Sequence, residues 1–311
     1  MTIDPALLAE ATRSITQGSK SFAAASRLFG PGTRESAVLL YAWCRHCDDV
    51  VDGQELGHAA RADAGEGAAA RLAVLEEGTR QALSGAPVSE PAFAALAEVA
   101  RRHAIPALYP IQHLAGFRMD VEERRFETLP DLLDYAYGVA GVVGVMMSHV
   151  MGVRAPAVLD RASDLGIAFQ LTNIARDIVD DAKVGRVYLP AAWLREGGVP
   201  RDRVAAPEHR AALVPVAARL LDAAEPYYAS ARLGIPALPP RARWAIATAL
   251  GIYRQIGLDV RARGAGAWDR RVSTSTASKL RHVAVGALAI WPRRFADSAR
   301  PGDLYGRPMT V

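Results

Sequence analysis

Clusters of proline and glycine divide this chain into long segments that are rich in alanine, leucine and arginine. Alternation of β-branched and polar residues, which is typical of a half-buried strand, is hard to find in any of them. Because Ala, Leu and Arg are strong helix formers, we predict that these segments are helices and that the fold class is all-α. The predicted helices include Glu35–Asp52, Asp131–Met151, Ala157–Asp181, Ala211–Leu233 and Arg241–Arg263.

The composition is that of a folded protein with a large apolar core. Hydrophobic residues make up 50% of the chain and charged residues 23%, which argues against bulk disorder. We therefore expect a single all-α domain over residues 1–311, with an irregular tail from about residue 294. Cys44 and Cys47 provide no disulfide framework, and the N-terminus lacks the pattern of a secretory signal. Both observations favour a cytoplasmic location.

The chain carries a modest excess of positive charge. The formal net charge is +4 and the pI is near 9.2. Such an excess favours anionic substrates or anionic lipid surfaces, so we expect peripheral association with a membrane surface. No basic patch interleaved with aromatic residues is visible, and we expect no nucleic-acid partner.

Two Asp-x-x-x-Asp pairs stand far apart in the sequence, at Asp48 and Asp52 and at Asp177 and Asp181. Four residues are about one helical turn, so each pair presents two carboxylates on one helix face. Mg²⁺ takes few protein ligands and shares its remaining positions with water and substrate phosphates. The two pairs together therefore indicate a divalent-cation site for a phosphorylated substrate.

The first pair belongs to a longer polar face. Tyr41, Arg45, Asp48 and Asp52 are spaced by four, three and four residues, which places them on one side of a helix. One interpretation is a solvated surface stripe held by Arg–Asp pairs. The apolar flanks AVLLYAWC and VV instead indicate burial, and buried carboxylates require cations or hydrogen bonds.

The second pair has the same arrangement. Gln170, Asn173, Asp177 and Asp181 are spaced by three, four and four residues, and Arg176 lies beside them. Arginine suits bidentate binding of a phosphate, and the Asn carbonyl oxygen suits Mg²⁺. A buried hydrogen-bond network without metal is the alternative, which the presence of two such faces makes less plausible.

These segments resemble a known family. The stretches GSKSFAAASRLF, AVLLYAWCRHCDDVVDG, YAYGVAGVVGVMM and LGIAFQLTNIARDIVDDAKVGRVYLP occur in order between Gly18 and Pro190, with a weaker stretch at Tyr253–Arg271. They resemble the squalene/phytoene synthases, the head-to-head type of trans-isoprenyl diphosphate synthase, and are most similar to the bacterial members that form phytoene. The resemblance implies an isoprenoid-synthase-type helical bundle around a central apolar cavity.

The resemblance also implies a reaction. Two molecules of geranylgeranyl diphosphate would condense through prephytoene diphosphate to phytoene, in carotenoid biosynthesis. Mg²⁺ is the implied cofactor, with Mn²⁺ as the alternative ion, and no nicotinamide cofactor is expected because phytoene formation is not reductive. One alternative is the same chemistry on farnesyl diphosphate, giving presqualene diphosphate, squalene or dehydrosqualene. Another is a non-catalytic relative acting as an assembly or binding factor, which the intact acidic motifs disfavour.

Individual residues take roles from the same resemblance. The implied metal ligands are Asp48, Asp52, Asn173, Asp177 and Asp181, and the four aspartates form the catalytic set together with Tyr41 and Arg45. Contacts to the diphosphates or prenyl groups are implied for Tyr41, Arg45, Gln170 and Arg176, for Ser19, Lys20 and Ser21 as a flap, and for Tyr253 and Arg271 on the opposite side.

The helix from Tyr135 to Val153 is predicted to form a wall of the cavity, with Tyr135 as a substrate-binding residue at its upper end; a place in the core is the alternative for Tyr135. Its side chains are mostly apolar, and the glycines Gly138, Gly141 and Gly144 would leave space for a prenyl chain. The alternative is that these glycines serve close packing between helices.

Overall fold

The computed structural model describes residues 3–18, 25–53, 67–291, 295 and 299–310. All regular structure in these segments is helical, which confirms the prediction of an all-α fold. The helices are α1 (Pro5–Gly18), α2 (Pro31–Asp52), α3 (Ala68–Ser84), α4 (Pro91–His103), α5 (Leu108–Val121), α6 (Leu129–Ala136), α7 (Val142–Val150), α8 (Pro156–Lys183), α9 (Ala191–Glu196), α10 (Arg210–Gly234), α11 (Pro240–Arg263) and α12 (Thr276–Ala287).

Local sequence explains where several helices begin and end. Helices α2, α4, α8 and α11 each begin with a proline, whose fixed φ suits the first turn and whose missing N–H costs nothing there. Helix α2 ends at Gly53, which adopts the left-handed conformation with φ of 62°. Helix α6 begins with a capping box between Thr128 and Asp131.

The predicted helix Asp131–Met151 is close to the observed extent but is not regular. A π-helical segment, Tyr137–Gly141, separates α6 from α7. Here the backbones of neighbouring helices nearly touch: a Cβ added at Gly138 would lie 2.8 Å from the Cα of Gly116, and one added at Gly144 would overlap the carbonyl of Ala162. These glycines therefore serve close packing, as the alternative interpretation held.

Helix α8 is the centre of the fold. It packs against α10, α7, the π-helical segment and α11, and its residues from Val158 to Val179 are largely buried. Helix α2 packs against α1, α3, α4, α5 and α7. Helix α12 covers the outer side of α11. None of the helices in the described segments is long and apolar enough to cross a membrane.

The chain from 299 to 310 contains no helix but packs against the bundle. The Arg300 guanidinium lies 2.6 Å from the Asp164 carboxylate, and that of Arg307 lies 2.9 Å from Asp160. The side-chain amide of Gln112 donates hydrogen bonds of 3.1 Å to the carbonyls of Pro308 and Thr310. This irregular segment is therefore anchored to α5 and to α8.

Candidate active site

A cavity of about 480 Å³ lies between α2, α7, α8, α10 and α11. Its polar end is lined by Tyr41, Arg45, Asp48, Gln170, Asn173 and Tyr253. Most of the remaining lining is apolar, including Phe29, Val139, Val143, Met147, Met151, Leu165, Phe169, Ile246 and Ile252. Along α8 the lining runs over the 16 residues from Val158 to Asn173, a rise of roughly 22 Å. The polar faces of α2 and α8 thus meet at one end of a long apolar chamber.

On α2 a single arginine organises the polar face. The guanidinium of Arg45 lies 2.9 Å from Asp48 and 2.7 Å from Asp49. Burial, together with the charges of Asp48 and Asp49, raises the pKa of Tyr41 to about 12, so its phenol keeps its proton. The Arg–Asp pairs of the surface-stripe interpretation are present, but Arg45 and Asp48 line the cavity.

Four predicted side chains lie outside the described part of the structure. The backbone of Asp52 ends α2, but its side chain lies outside the described part of the structure. Ser19, Lys20 and Ser21 also lie outside the described residues. Their roles as a metal ligand and as a flap remain predictions.

On α8, Asp177 is held by two arginines. Arg176 donates to it at 2.8 and 2.5 Å, and Arg271 at 3.0 and 2.8 Å. Burial pushes the pKa of Asp177 upward, but the hydrogen bonds from the two arginines outweigh it and the pKa is lowered. The indole N–H of Trp268 donates to the carbonyl of Ala175 at 3.2 Å and fixes the segment that carries Arg271. The structure thus brings three of the predicted residues together.

The next turn of α8 carries a second, partly buried carboxyl group, whose pKa is lowered less by the nearby arginines than it is raised by burial. Burial, and then the charge of Asp177, raise the pKa of Asp181 to about 7. One turn before Asp177, the Oδ1 atom of Asn173 is buried and has no hydrogen-bond partner among the described residues. A hard cation would satisfy both groups, so these oxygens fit Mg²⁺. Across the described side chains, no three His, Cys, Asp or Glu groups already converge on one point.

Two tyrosines extend the site into the chamber. Tyr135 lines the cavity as predicted; its hydroxyl donates to Asp120 at 3.1 Å and its ring stacks on Tyr188 at 4.9 Å. Tyr188 donates to the same carboxylate at 2.8 Å. Tyr253 stacks on Phe169 with ring centroids 4.0 Å apart. Sequence reasoning missed Asp120 because it stands among ordinary charges, Glu122, Glu123 and Arg124, while its tyrosine partners are 15 and 68 residues away.

The far end of the cavity contains a buried arginine that the sequence did not indicate. Arg161 lines the cavity, and its guanidinium donates to the backbone and hydroxyl oxygens of Ser230 at 3.3 Å. The hydroxyl of Ser230 donates to Asp164 at 2.5 Å, and Asp164 also binds Arg300. A polar network therefore closes the chamber opposite the acidic helices. On the predicted wall, Val139, Val143 and Met147 line the cavity, whereas Val142 and Met146 belong to the core.

A helical bundle around an apolar chamber, with aspartate-bearing faces at its mouth, defines an isoprenoid-synthase type of protein. The chain belongs to the squalene/phytoene synthase family, whose model matches residues 15–278. This confirms the resemblance drawn from the motifs.

Solved structures give the same fold. A dehydrosqualene synthase superposes with a TM-score of 0.80 at 28% identity, over 90% of this chain and 95% of that one. The squalene synthase HpnC of Alicyclobacillus acidocaldarius superposes with a TM-score of 0.72 at 24% identity, over 83% of this chain and 94% of that one.

Sequence relatives are more similar still. The phytoene synthase of Pseudescherichia vulneris is 53% identical over 306 residues, which cover 98% of this chain and 99% of the relative. The 15-cis-phytoene synthase of Enterobacter agglomerans is 55% identical over 293 residues, covering 94% and 99% respectively.

Proposed function

We propose that the protein is a prenyltransferase that condenses two molecules of geranylgeranyl diphosphate head to head, through prephytoene diphosphate, to phytoene. The observation that carries this proposal is a cavity that joins the polar faces of α2 and α8 to one long apolar chamber. Near-full-length relatives named phytoene synthase support the choice of the twenty-carbon substrate.

The polar end would bind the diphosphates. Asp48, Asn173, Asp177 and Asp181 offer oxygens for Mg²⁺, and we assign Asp52 to the same set from its place in the sequence. Bound there, Mg²⁺ would neutralise charge on the departing pyrophosphate. Arg45, Arg176 and Arg271 would neutralise the rest with bidentate hydrogen bonds.

The chamber would protect the cationic intermediates. Loss of pyrophosphate from one substrate leaves an allylic cation, which attacks the double bond of the second substrate, and proton loss closes the cyclopropane. A second ionisation, rearrangement and proton loss then give phytoene. Each cation would react with water, so walls such as Val143, Met147 and Phe169 serve to exclude solvent.

We further propose that the protein works in the cytoplasm, peripherally at a membrane surface. Its net positive charge would favour an anionic surface, and its hydrocarbon product partitions into lipid. The two cysteines form no disulfide, in keeping with a reducing compartment.

The test is to incubate the purified protein and Mg²⁺ with geranylgeranyl or farnesyl diphosphate in separate reactions and to identify the hydrocarbon. Phytoene from the first substrate is the expected result. A product from the fifteen-carbon substrate alone would replace the phytoene assignment with the squalene or dehydrosqualene type. No turnover of either substrate would favour a non-catalytic assembly or binding factor.

A variant pair links that turnover to the site. Asp48→Asn should abolish product formation because Asp48 lies at the mouth of the cavity. The matched control is Asp222→Asn, which changes a surface aspartate that pairs with Arg261. Equal activity in both variants would contradict the proposed diphosphate site.

A further inference from the structure

Helix α12 presents an apolar side to solvent. Leu280 is 64% exposed and Val285 57%, and in the residues that follow the helix Leu288 is 59% and Trp291 71% exposed. Ile290, at 36%, adjoins them. We call these five side chains the α12 face. Surface helices of globular proteins normally expose their polar side, whereas α12 exposes apolar side chains.

The opposite side of α12 fixes this orientation. The indole N–H of Trp244 on α11 donates to the carbonyl of Val283 at 2.8 Å. Gly286 lies so close to Thr248 that an added Cβ would overlap its hydroxyl. Because these contacts hold the inner side of α12 against α11, the helix cannot rotate to bury its apolar residues.

The surroundings of the α12 face carry positive charge. Between Ser273 and Trp291 the sequence contains Lys279 and Arg281, and no Asp or Glu. On the adjoining helix, Arg243 donates to the carbonyl of Trp291 at 3.4 Å. Exposed Leu and Trp side chains bordered by basic residues are typical of protein surfaces that bind an anionic bilayer, at the level where headgroups meet acyl chains.

A second copy of the chain fits this surface poorly. In a two-fold dimer the same patch meets itself, so the basic border would face its own positive charges. An anionic lipid surface instead complements the border and accepts the apolar side chains. Charge therefore favours a bilayer as the occupant.

We propose that the α12 face docks the protein onto the surface of an anionic lipid bilayer; this rests on the peripheral association proposed above and assigns it a site. The position of the face gives it a role. Helix α11, on which α12 packs, lines the prenyl cavity through Ala245, Ile246, Ala249 and Ile252. Docking on the α12 face would thus hold the cavity close to the lipid bilayer, into which the hydrocarbon product partitions. Only the packed helices α11 and α12 would separate the cavity from the lipid.

Vesicle co-sedimentation of the full-length protein tests the assignment. The vesicles contain phosphatidylcholine alone or phosphatidylcholine with phosphatidylglycerol. Wild type should bind the anionic vesicles, and Leu288→Glu/Trp291→Glu should lower its partition coefficient roughly tenfold or more, because two apolar anchors are replaced by charges that lipid headgroups repel. Val74→Glu is the matched control: Val74 is 64% exposed on α3, and its variant should bind like wild type.

Trp291 also provides a readout that does not depend on the folding of the charged variant. Wild type should show a blue shift of tryptophan emission on anionic vesicles, and Trp291→Phe should lack most of that shift. Phytoene formation from detergent-dispersed substrate should persist in every variant, because none of these residues lines the cavity.

The outcomes separate this proposal from the one it rests on. If wild type and the double variant bind vesicles equally, the α12 face is the wrong site although peripheral association stands. If wild type binds no vesicles, both membrane proposals fail while the phytoene assay is unaffected. If the protein is a dimer without lipid and the double variant is a monomer, the face belongs to a second copy and the lipid assignment is overturned.

Discussion

Two aspartates on α8, 13 residues apart, both bind arginines, but they differ in how accessible the ion pair is to solvent. Asp177, one turn beyond Asn173 of the cavity lining, is held by Arg176 and by Arg271, whose side chain is 63% exposed. Asp164, behind the far end, is fully buried and bound by Arg300 and Ser230. The same ion-pair chemistry therefore occurs once where solvent and ligands can reach it and once where they cannot.

The difference lies in what could replace each partner. A diphosphate entering the mouth would compete for Arg176 and Arg271 and leave Asp177 free for a cation. The Asp164 side chain is fully buried, so no ligand could displace Arg300 from it, and the pair contributes to the stability of the fold. We interpret Asp177 as exchangeable and functional, and Asp164 as permanent and structural.

The largest expected effect is on catalysis at the mouth. Asp177→Asn should lower turnover by roughly a thousandfold, because a carboxylate that would hold Mg²⁺ beside the departing pyrophosphate is lost. Thermal unfolding should change little. Asp180→Asn, which alters an exposed aspartate paired with Lys183, is the control and should keep wild-type turnover. Substantial activity in Asp177→Asn would contradict the functional role assigned to Asp177.

For Asp164 we expect the reverse: a large loss of stability and little change in turnover. Asp164→Asn should lower the free energy of unfolding by about 3 kcal/mol, because Arg300 loses its buried partner. Turnover per folded molecule should stay within a few-fold of wild type. Arg300→Gln should cause a similar loss, and the double variant should lose less than the sum, as denaturant titrations would measure. Additive losses would mean that the pair is not coupled.

A smaller effect on catalysis is expected at Arg271. Arg271→Gln should lower kcat/KM roughly tenfold, mainly through KM, because one bidentate contact to the diphosphate is lost. Stability should change by less than about 1 kcal/mol, since the guanidinium is largely exposed. Arg270→Gln, at an exposed neighbouring position, should have no effect on either quantity.

The smallest expected change is a gain in stability. Burial of the Asp181 carboxylate, and then its repulsion by Asp177, disfavours the folded state when Asp181 is ionised. Asp181→Asn should therefore raise the unfolding free energy of the metal-free protein by about 1 kcal/mol at pH 8, measured with a chelator present. Mg²⁺ with pyrophosphate should stabilise wild type more than the variant. A destabilised variant under chelation would show that Asp181 is already balanced by its neighbours.

The parts that sequence predicted are those governed by short spacing. Residues three or four apart share a helix face, so the polar stripes of α2 and α8 and the approximate bounds of the long helices followed from the chain alone. That the two stripes belong to one site followed from the family resemblance, which the helix geometry then explained.

The parts that sequence missed depend on pairing across long separations. Arg300 and Asp164 are 136 residues apart, and Arg161 and Ser230 are 69 apart. No local pattern marks such partners, because each is an ordinary charged or polar residue in its own segment. The π-helical segment was missed for a related reason: its wider turn accompanies the close approach of other helices, which the sequence of the segment does not encode.

The glycine contacts of the wall limit how this enzyme could change. Gly144 and Gly166 bring one backbone against another, so neither position can accept a side chain without separating two helices. Volume on that side can change only through side chains such as Val143 and Met147. A variant able to accept a longer or shorter isoprenoid would have to change these side chains, or gain or lose space at α11 or at Arg161, which makes these the positions to diversify in a library for new chain lengths.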